Sequence, residues 1–180
     1  MNRVILSLSS LFLAAAVGAQ TIEMPGLSGE VMVHTDAQGI PTIVGDTERD
    51  VNFVRGYLHA RDRLFQMDYL RRVASGTLAE LLGQAAIDSD VQLRTLGLRR
   101  GALATWLNMS PDEKGWVKAY ADGVNAFIRQ GELPPEYGVL ELGTVEPWSP
   151  VDSLIIGKLL AFQLSFDSGA VDRTIRLGTY

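Results

Sequence analysis

The chain has no cysteine among its 180 residues, which excludes structural disulfides, thiol nucleophiles and thiolate metal sites together. Histidine is nearly as scarce. His34 and His59 are the only two, one at an expected strand end and one on a charged helix. Their spacing forms no zinc-ligand pattern and forces no pairing with a serine or aspartate, so both read as structural. No acidic run follows the calcium-loop pattern, and the 18 glycines fall in no phosphate-cradling arrangement after a strand. The 16 basic residues are outnumbered by 21 acidic ones, giving a net charge of −5 without a cationic stripe, which argues against a nucleic-acid partner.

What the chain does contain points to an ordered protein. With 47% hydrophobic and 21% charged residues it can bury a sizeable core as one domain or a large part of one. The first residues read as a targeting segment. Met1-Asn2-Arg3 carries an early positive charge, Val4 to Val17 is apolar, and Val17-Gly18-Ala19 supplies small residues for cleavage before Gln20. The run is shorter than the roughly 20 apolar residues that span a bilayer, so a secretory signal over residues 1–19, followed by a mature domain over 20–180, is preferred to a membrane anchor. Export to the periplasm or the medium follows, with no membrane in the mature form.

Local signals then divide the mature chain. Glu30 to Thr35 alternates around Val31 and Val33, Asp36-Ala37-Gln38-Gly39 is a turn, and Ile40 to Val44 is a second β-branched run, which together predict a hairpin. Thr47 and Asp50 form a capping pair at the head of a long helix that stops near Ser75-Gly76, and Thr77 with Glu80 starts a short helix ended by Gly83. Asp88 or Ser89 caps a segment through Val91, Leu93, Leu96 and Leu98. Ser110-Pro111-Asp112-Glu113 opens a helix whose apolar positions recur from Val117 to Ile128 and which stops at Gln130-Gly131. Pro134 to Gly138 reads as a loop. Ser149-Pro150-Val151-Asp152 repeats the cap chemistry before a last helix, Leu154 to Phe162, apolar nearly all round.

The stretch Gly56 to Arg72 mixes dense charge with large apolar residues on one helix. Its apolar positions are too widely spread for a narrow stripe, so some of the interleaved charges lie near the core and need partners. Asp68 precedes Arg71 and Arg72 by three and four residues, the favourable acid-first order on one helix face. Two readings apply to the arginines. Arg61, Arg63 or Arg71 could hold a substrate carboxylate bidentately, or they clamp structure with Asp62 and Asp68 as counter-charges; the second is preferred because buried Arg and Asp more often satisfy each other.

Several collinear motifs carry a family resemblance. They are Asp36-x-x-Gly39-Ile40-Pro41-x-Ile43; Asp50-x-x-Phe53-x-x-Gly56-Tyr57-x-His59-Ala60-x-Asp62-Arg63-Leu64-Phe65-Gln66-Met67; Arg71-Arg72-x-x-x-Gly76-x-x-x-Glu80-x-x-Gly83; Asp90-x-x-x-Arg94; Tyr120-Ala121-x-Gly123-Val124-Asn125-Ala126; and Pro147-Trp148-x-x-x-Asp152. In this order, over nearly the whole mature chain, they resemble the start of the penicillin acylase family.

The resemblance implies an N-terminal nucleophile hydrolase, made as a precursor that cuts itself into a smaller α and a larger β subunit. This chain has the size of the smaller one, ending near Tyr180. The implied fold class is α+β, a four-layer αββα sandwich shared with the β subunit, to which this chain contributes mainly helices and the early hairpin. The implied nucleophile is the N-terminal serine of the β subunit, with its own α-amino group as base. An α-amino group titrates near ~8, so it serves near neutral pH without histidine. Oxyanion donors would come from the β subunit as well. No catalytic residue is therefore expected in this chain.

By position, Phe162-Gln163-Leu164-Ser165-Phe166 matches the family segment that lines the acyl site. Phe162, Phe166 and then Leu164 are the candidate substrate-binding residues, the other reading being that they pack the interface between the two chains. Family members often bind structural calcium through an acid just beyond. This chain departs from the usual glutamate, offering Asp167-Ser168-Gly169-Ala170-Val171-Asp172, with Asp172 as the candidate ligand and a solvated loop as the other reading. No organic cofactor is implied. The expected activity is hydrolysis of an amide between an apolar acyl group and a polar amine, with acyl-homoserine lactones, β-lactams and acylated peptides as candidate small-molecule substrates. The competing reading is a secreted binding or scaffold protein that keeps the acylase α fold without a catalytic partner.

Overall fold

Along Val31–Thr35 buried and exposed residues alternate, the period-2 pattern of a strand with one face on a core. In the computed structural model, which describes residues 18–22 and 24–165 together with Gly169 and Gly178, this strand (β2) is the centre of a three-stranded antiparallel sheet. It lies between β1 (Gly18–Ile22) and β3 (Pro41–Gly45). The expected hairpin is β2–β3, in a register that sets Val33 opposite Ile43. Its turn is shaped by Asp36, whose carboxylate accepts the amides of Gln38 at 3.0 Å and Ile40 at 2.8 Å. The third strand, β1, adds to the expected hairpin; five residues without alternation carry no strand signal of their own, and their partner β2 makes them one.

The long helix α1 (Glu48–Ser75) starts and stops where its sequence says. Thr47 Oγ1 accepts the amide of Asp50 at 3.0 Å and donates to the Asp50 carboxylate at 2.8 Å, while Gly76 closes the other end in the left-handed conformation at φ 68°. The helix breaks once, at Arg63 (φ −145°, ψ 25°). It is buried on more than one side because the sheet, α5 (Pro111–Ile128) and α7 (Pro150–Ser165) all pack on it. That explains a sequence with no narrow apolar stripe.

Three buried clusters lie along α1. The first joins Val31 and Val33 of the sheet to Phe53, Val54, Leu58 and Ala119. The second contains Ala60, Leu64, Val124, Phe127, Tyr137 and Trp148, and the third Ala74, Ala102, Val151, Ile155 and Leu159. Fully burying a side chain such as Leu58 or Ile155 stabilises by about 1.5–3 kcal/mol. Where α1 crosses α5, Gly56 and Gly123 allow backbone to touch backbone. A Cβ on Gly56 would sit 2.1 Å from the Tyr120 carbonyl oxygen, and one on Gly123 would sit 1.9 Å from that of Phe53, so both positions exclude every other residue.

The second half departs from expectation in four places. The short helix α2 (Ala79–Leu82) has no side-chain cap from Thr77; Leu78 holds the cap position. The segment after it begins at Ile87, with Ala86 and not Asp88 or Ser89 at the cap position, and Gly97 (φ 75°) divides it into α3 (Ile87–Leu96) and α4 (Leu98–Asn108). Pro134 to Gly138 is not wholly loop, because Pro135–Val139 forms one helical turn, α6, that buries Tyr137. The last helix, α7, extends to Pro150 and Ser165 at its two ends and is buried along one side only. Ser110 makes the full capping box with Glu113 expected at the head of α5.

Candidate functional site

The charged helix resolves into a buried hub around Asp68, which is 0% exposed. Arg71 Nε donates to one Asp68 oxygen at 2.6 Å, Arg72 Nε reaches both oxygens at 3.3 Å, and the Tyr137 hydroxyl donates at 3.0 Å. Burial and the adjacent Asp68 charge push the Tyr137 phenol well above its ordinary value, so it stays a donor. The rest of the Arg71 fork is committed as well. Nη1 donates to the Pro147 carbonyl at 3.2 Å and Nη2 to the Glu146 carbonyl at 2.9 Å. Asp152 lies 3.5 Å away and the guanidinium sits 5.1 Å from the centre of the Trp148 ring. Arg99 reaches the other Asp152 oxygen at 3.4 Å.

Arg71 therefore ties α1 to the loop before α7, with each of its three nitrogens donating to a partner within the chain. Arg61 pairs with its neighbour Asp62 at 2.6 Å, and Arg63 is exposed at the kink and makes no ion pair among the described residues. The clamp reading fits Arg71.

A second device joins the ends of α1 and α3. The buried Asp90 carboxylate accepts the amides of Leu78 and Ala79, each at 2.8 Å, so it caps α2 from another helix. Arg94, one turn on, donates to the Gly76 carbonyl at 2.6 Å. A third joins α5 to the segment before α7: the Asn125 side chain donates to the Trp148 carbonyl at 2.8 Å and accepts the Trp148 amide at 2.7 Å. Four of the sequence motifs, those containing Arg71, Asp90, Asn125 and Trp148, are thus joined in space.

A cleft of about 390 Å³ opens between α1, α5 and α7. Met67, Leu70, Trp116, Val117 and Ile156 supply apolar walls, and Asn52, His59 and Gln66 line it from α1. His59 Nδ1 lies 3.0 Å from the Tyr120 hydroxyl. Burial and the Arg55 charge hold His59 below its ordinary value against the pull of Asp62, and burial pushes Tyr120 up to about 12 although Arg55 opposes it; the pair is neutral near pH 7. Neither histidine hydrogen-bonds a serine or a carboxylate among the described residues. The cleft carried a faint mark in the sequence: Asn52, His59 and Gln66 recur every seventh residue on one face of α1. Tyr120 was legible as a helix-periodic position and as the first residue of the Tyr120-Ala121-x-Gly123 motif, whereas Trp116 lies just before the periodic series and was missed.

Of the expected acyl-site residues, Phe162 is half-buried on the last turns of α7 and Leu164 is 88% exposed. Phe166 lies outside the described residues, as does Asp172. Among the described residues no group of three or more His, Asp or Glu is arranged to hold a metal ion, and no helix is long and apolar enough to cross a membrane.

The penicillin amidase family profile matches residues 30–177. The chain is 40% identical over 141 residues to penicillin acylase 2 proenzyme of Pseudomonas sp. (strain SE83), covering 78% of this chain and 18% of that protein. It is 38% identical over 149 residues to the acyl-homoserine lactone acylase QuiP of Pseudomonas aeruginosa, covering 82% and 17%. The chain thus spans less than a fifth of the length of these curated relatives. A solved structure of the thermostable penicillin G acylase from Alcaligenes faecalis superposes with a TM-score of 0.72 at 30% identity, over 82% of this chain and 81% of that one. The match over residues 30–177 runs from the sheet through the Asp68 hub, the Asp90 clasp and the Asn125–Trp148 junction to beyond α7, and it makes this chain a member of the penicillin amidase family.

Proposed function

We propose that this chain is the smaller subunit of an exported heterodimeric acylase that hydrolyses an amide between an apolar acyl group and a polar amine. The observation that carries the reading is a contrast in length. The chain covers 81% of an acylase chain in a solved structure but only 18% of an acylase proenzyme, as a subunit released from a long precursor would. The larger β subunit supplies the nucleophile, an N-terminal serine whose α-amino group takes its proton as it attacks the amide carbon. It also supplies the donors that hold the resulting oxyanion. This chain supplies scaffold and one wall of the acyl pocket, with Phe162, Leu164 and Phe166 against the acyl group. Asp172 would give a carboxylate oxygen to a structural calcium, most of whose remaining ligands would come from the β subunit.

The relatives act on penicillins or acyl-homoserine lactones by name, and an acyl amide of either kind, or an acylated peptide, fits the reading. Purifying the native protein and sequencing the N-termini of every co-purifying chain tests it. The expected result is a mature chain that begins at Gln20 and a larger partner that begins with serine, with amide hydrolysis lost when that serine becomes alanine. A stable lone chain, without partner or hydrolysis, would instead establish a scaffold or binding protein.

A further inference from the structure

The expected cleavage point before Gln20 falls inside a strand. β1 pairs with β2 in a register that sets Gly18 opposite Thr35, Ala19 opposite His34, Gln20 opposite Val33 and Ile22 opposite Val31. Removal of residues 1–19 takes Gly18 and Ala19 from this ladder and leaves Gln20 as the first residue of a shortened strand at the edge of the sheet. The chain just beyond it is tied down. The Thr21 hydroxyl donates to the Glu30 carboxylate at 3.0 Å, and Ile22, Met24 and Leu27 pack against the buried cluster of Val31, Val33 and Phe53. The new α-amino group thus stands at the head of an anchored segment, on a residue whose own side chain ends in a carboxamide.

We propose that this N-terminus is a modification site at which Gln20 closes on itself to pyroglutamate, an inference that rests on the proposed export and on cleavage before Gln20. The α-nitrogen lone pair attacks the side-chain Cδ and the new N–Cδ bond closes a γ-lactam. The Cδ–Nε2 bond breaks, and Nε2 leaves as ammonia with a proton from the α-amino group. Nothing is oxidised or reduced, and no co-reactant is consumed. An α-amino group titrates near ~8, so part of it is unprotonated and nucleophilic at neutral pH. Every ring atom belongs to Gln20, so closure leaves the Thr21–Glu30 bond and the pairing of Thr21 and Ile22 with β2 in place. The lactam removes the terminal positive charge and with it the free amine that an aminopeptidase requires. Trimming from this end would strip Thr21 and then Ile22, the residues that hold β1 to Glu30 and to the core. Cyclisation therefore preserves the edge strand in the exported protein.

The test uses the native protein, denatured at harvest in a reagent that dimethylates free amines, with the N-terminal peptide read by tandem mass spectrometry. Trapping the amine at harvest keeps ring closure during work-up out of the result. The expected peptide begins at residue 20, is lighter than the unmodified sequence by one ammonia and carries no label at its N-terminus. Pyroglutamyl aminopeptidase should then release residue 20 and leave a peptide that begins at Thr21. A chain that begins at a labelled, unmodified Gln20 refutes the modification while the cleavage and export stand. A chain that begins at any other residue overturns the lactam together with the cleavage reading. Neither result depends on whether a larger chain co-purifies, so the fate of the acylase reading is decided separately.

Discussion

Asp68 and Arg71, one turn apart on α1, meet through a 2.6 Å ion pair with only 1% and 7% of their side chains exposed. Removing one partner of such a pair leaves an uncompensated buried charge. Asp68→Ala is expected to cost the assembled protein about 3–5 kcal/mol, because it strips Arg71, Arg72 and Tyr137 of a common acceptor. A urea titration reads this as a lower midpoint, and an unchanged midpoint would show that the hub contributes no net stability.

Two glycines on one helix pair should respond oppositely to alanine. Gly123→Ala forces a Cβ to within 1.9 Å of the Phe53 carbonyl oxygen, which the backbone crossing cannot absorb, and loss of soluble folded protein is expected. Gly115→Ala, eight residues earlier on α5, meets nothing within 4 Å and should stabilise by about 0.8–1 kcal/mol through helix propensity. Thermal unfolding of the two variants side by side checks both signs.

Asp50 links stability to acid. Burial acts to raise its carboxyl, but hydrogen bonds from the Ser28 hydroxyl and amide and from Thr47, with the Arg49 charge, outweigh it and hold the group below its ordinary value of 3.8. A carboxyl depressed on folding stabilises fully above its unfolded value and loses that contribution as pH falls through the folded one. Asp50→Asn should therefore be less stable than the parent at pH 6, with the two melting temperatures converging below about pH 4. Parallel curves down to the acid limit would contradict the assignment.

Asp90→Ala leaves the buried Leu78 amide and its neighbour Ala79 without an acceptor. An unsatisfied donor of this kind costs about 1–3 kcal/mol. Hydrogen exchange should quicken first at Leu78 and Ala79, well before the core of α1.

On the proposed function, Leu164→Ala should lower kcat/KM for a long apolar acyl amide by about tenfold, or ~1.4 kcal/mol, with a much smaller effect on a short one. Because Leu164 is 88% exposed in this chain, its own fold should be unaffected. Equal losses for both substrates would remove Leu164 from the acyl wall.

What the sequence revealed was local. The Thr47–Asp50 and Ser110–Glu113 caps and the Asp68–Arg71–Arg72 cluster lie within four residues of their partners, and spacing alone implies them. What it hid depends on distant chain. β1 is a strand because β2 lies beside it, and the turn at Tyr137 places a hydroxyl on Asp68, 69 residues away. Asp90 looked like a residue of its own helix and serves another's amides. The acyl-site candidates were placed by resemblance alone, since two aromatics at a helix end carry no chemical signature.

The Arg71 fork also bears on the order in which the chain assembles. Its Nε bond to Asp68 is local and forms with the helix, whereas its bonds to Glu146 and Pro147 close loops of 75 and 76 residues. Non-local closures are entropically costly and come late in folding. During synthesis α1 thus emerges with the hub half made and two guanidinium nitrogens waiting for carbonyls not yet translated. The contacts of Arg71 with the loop before α7 are thus the long-range closures that join α7 to the first helix.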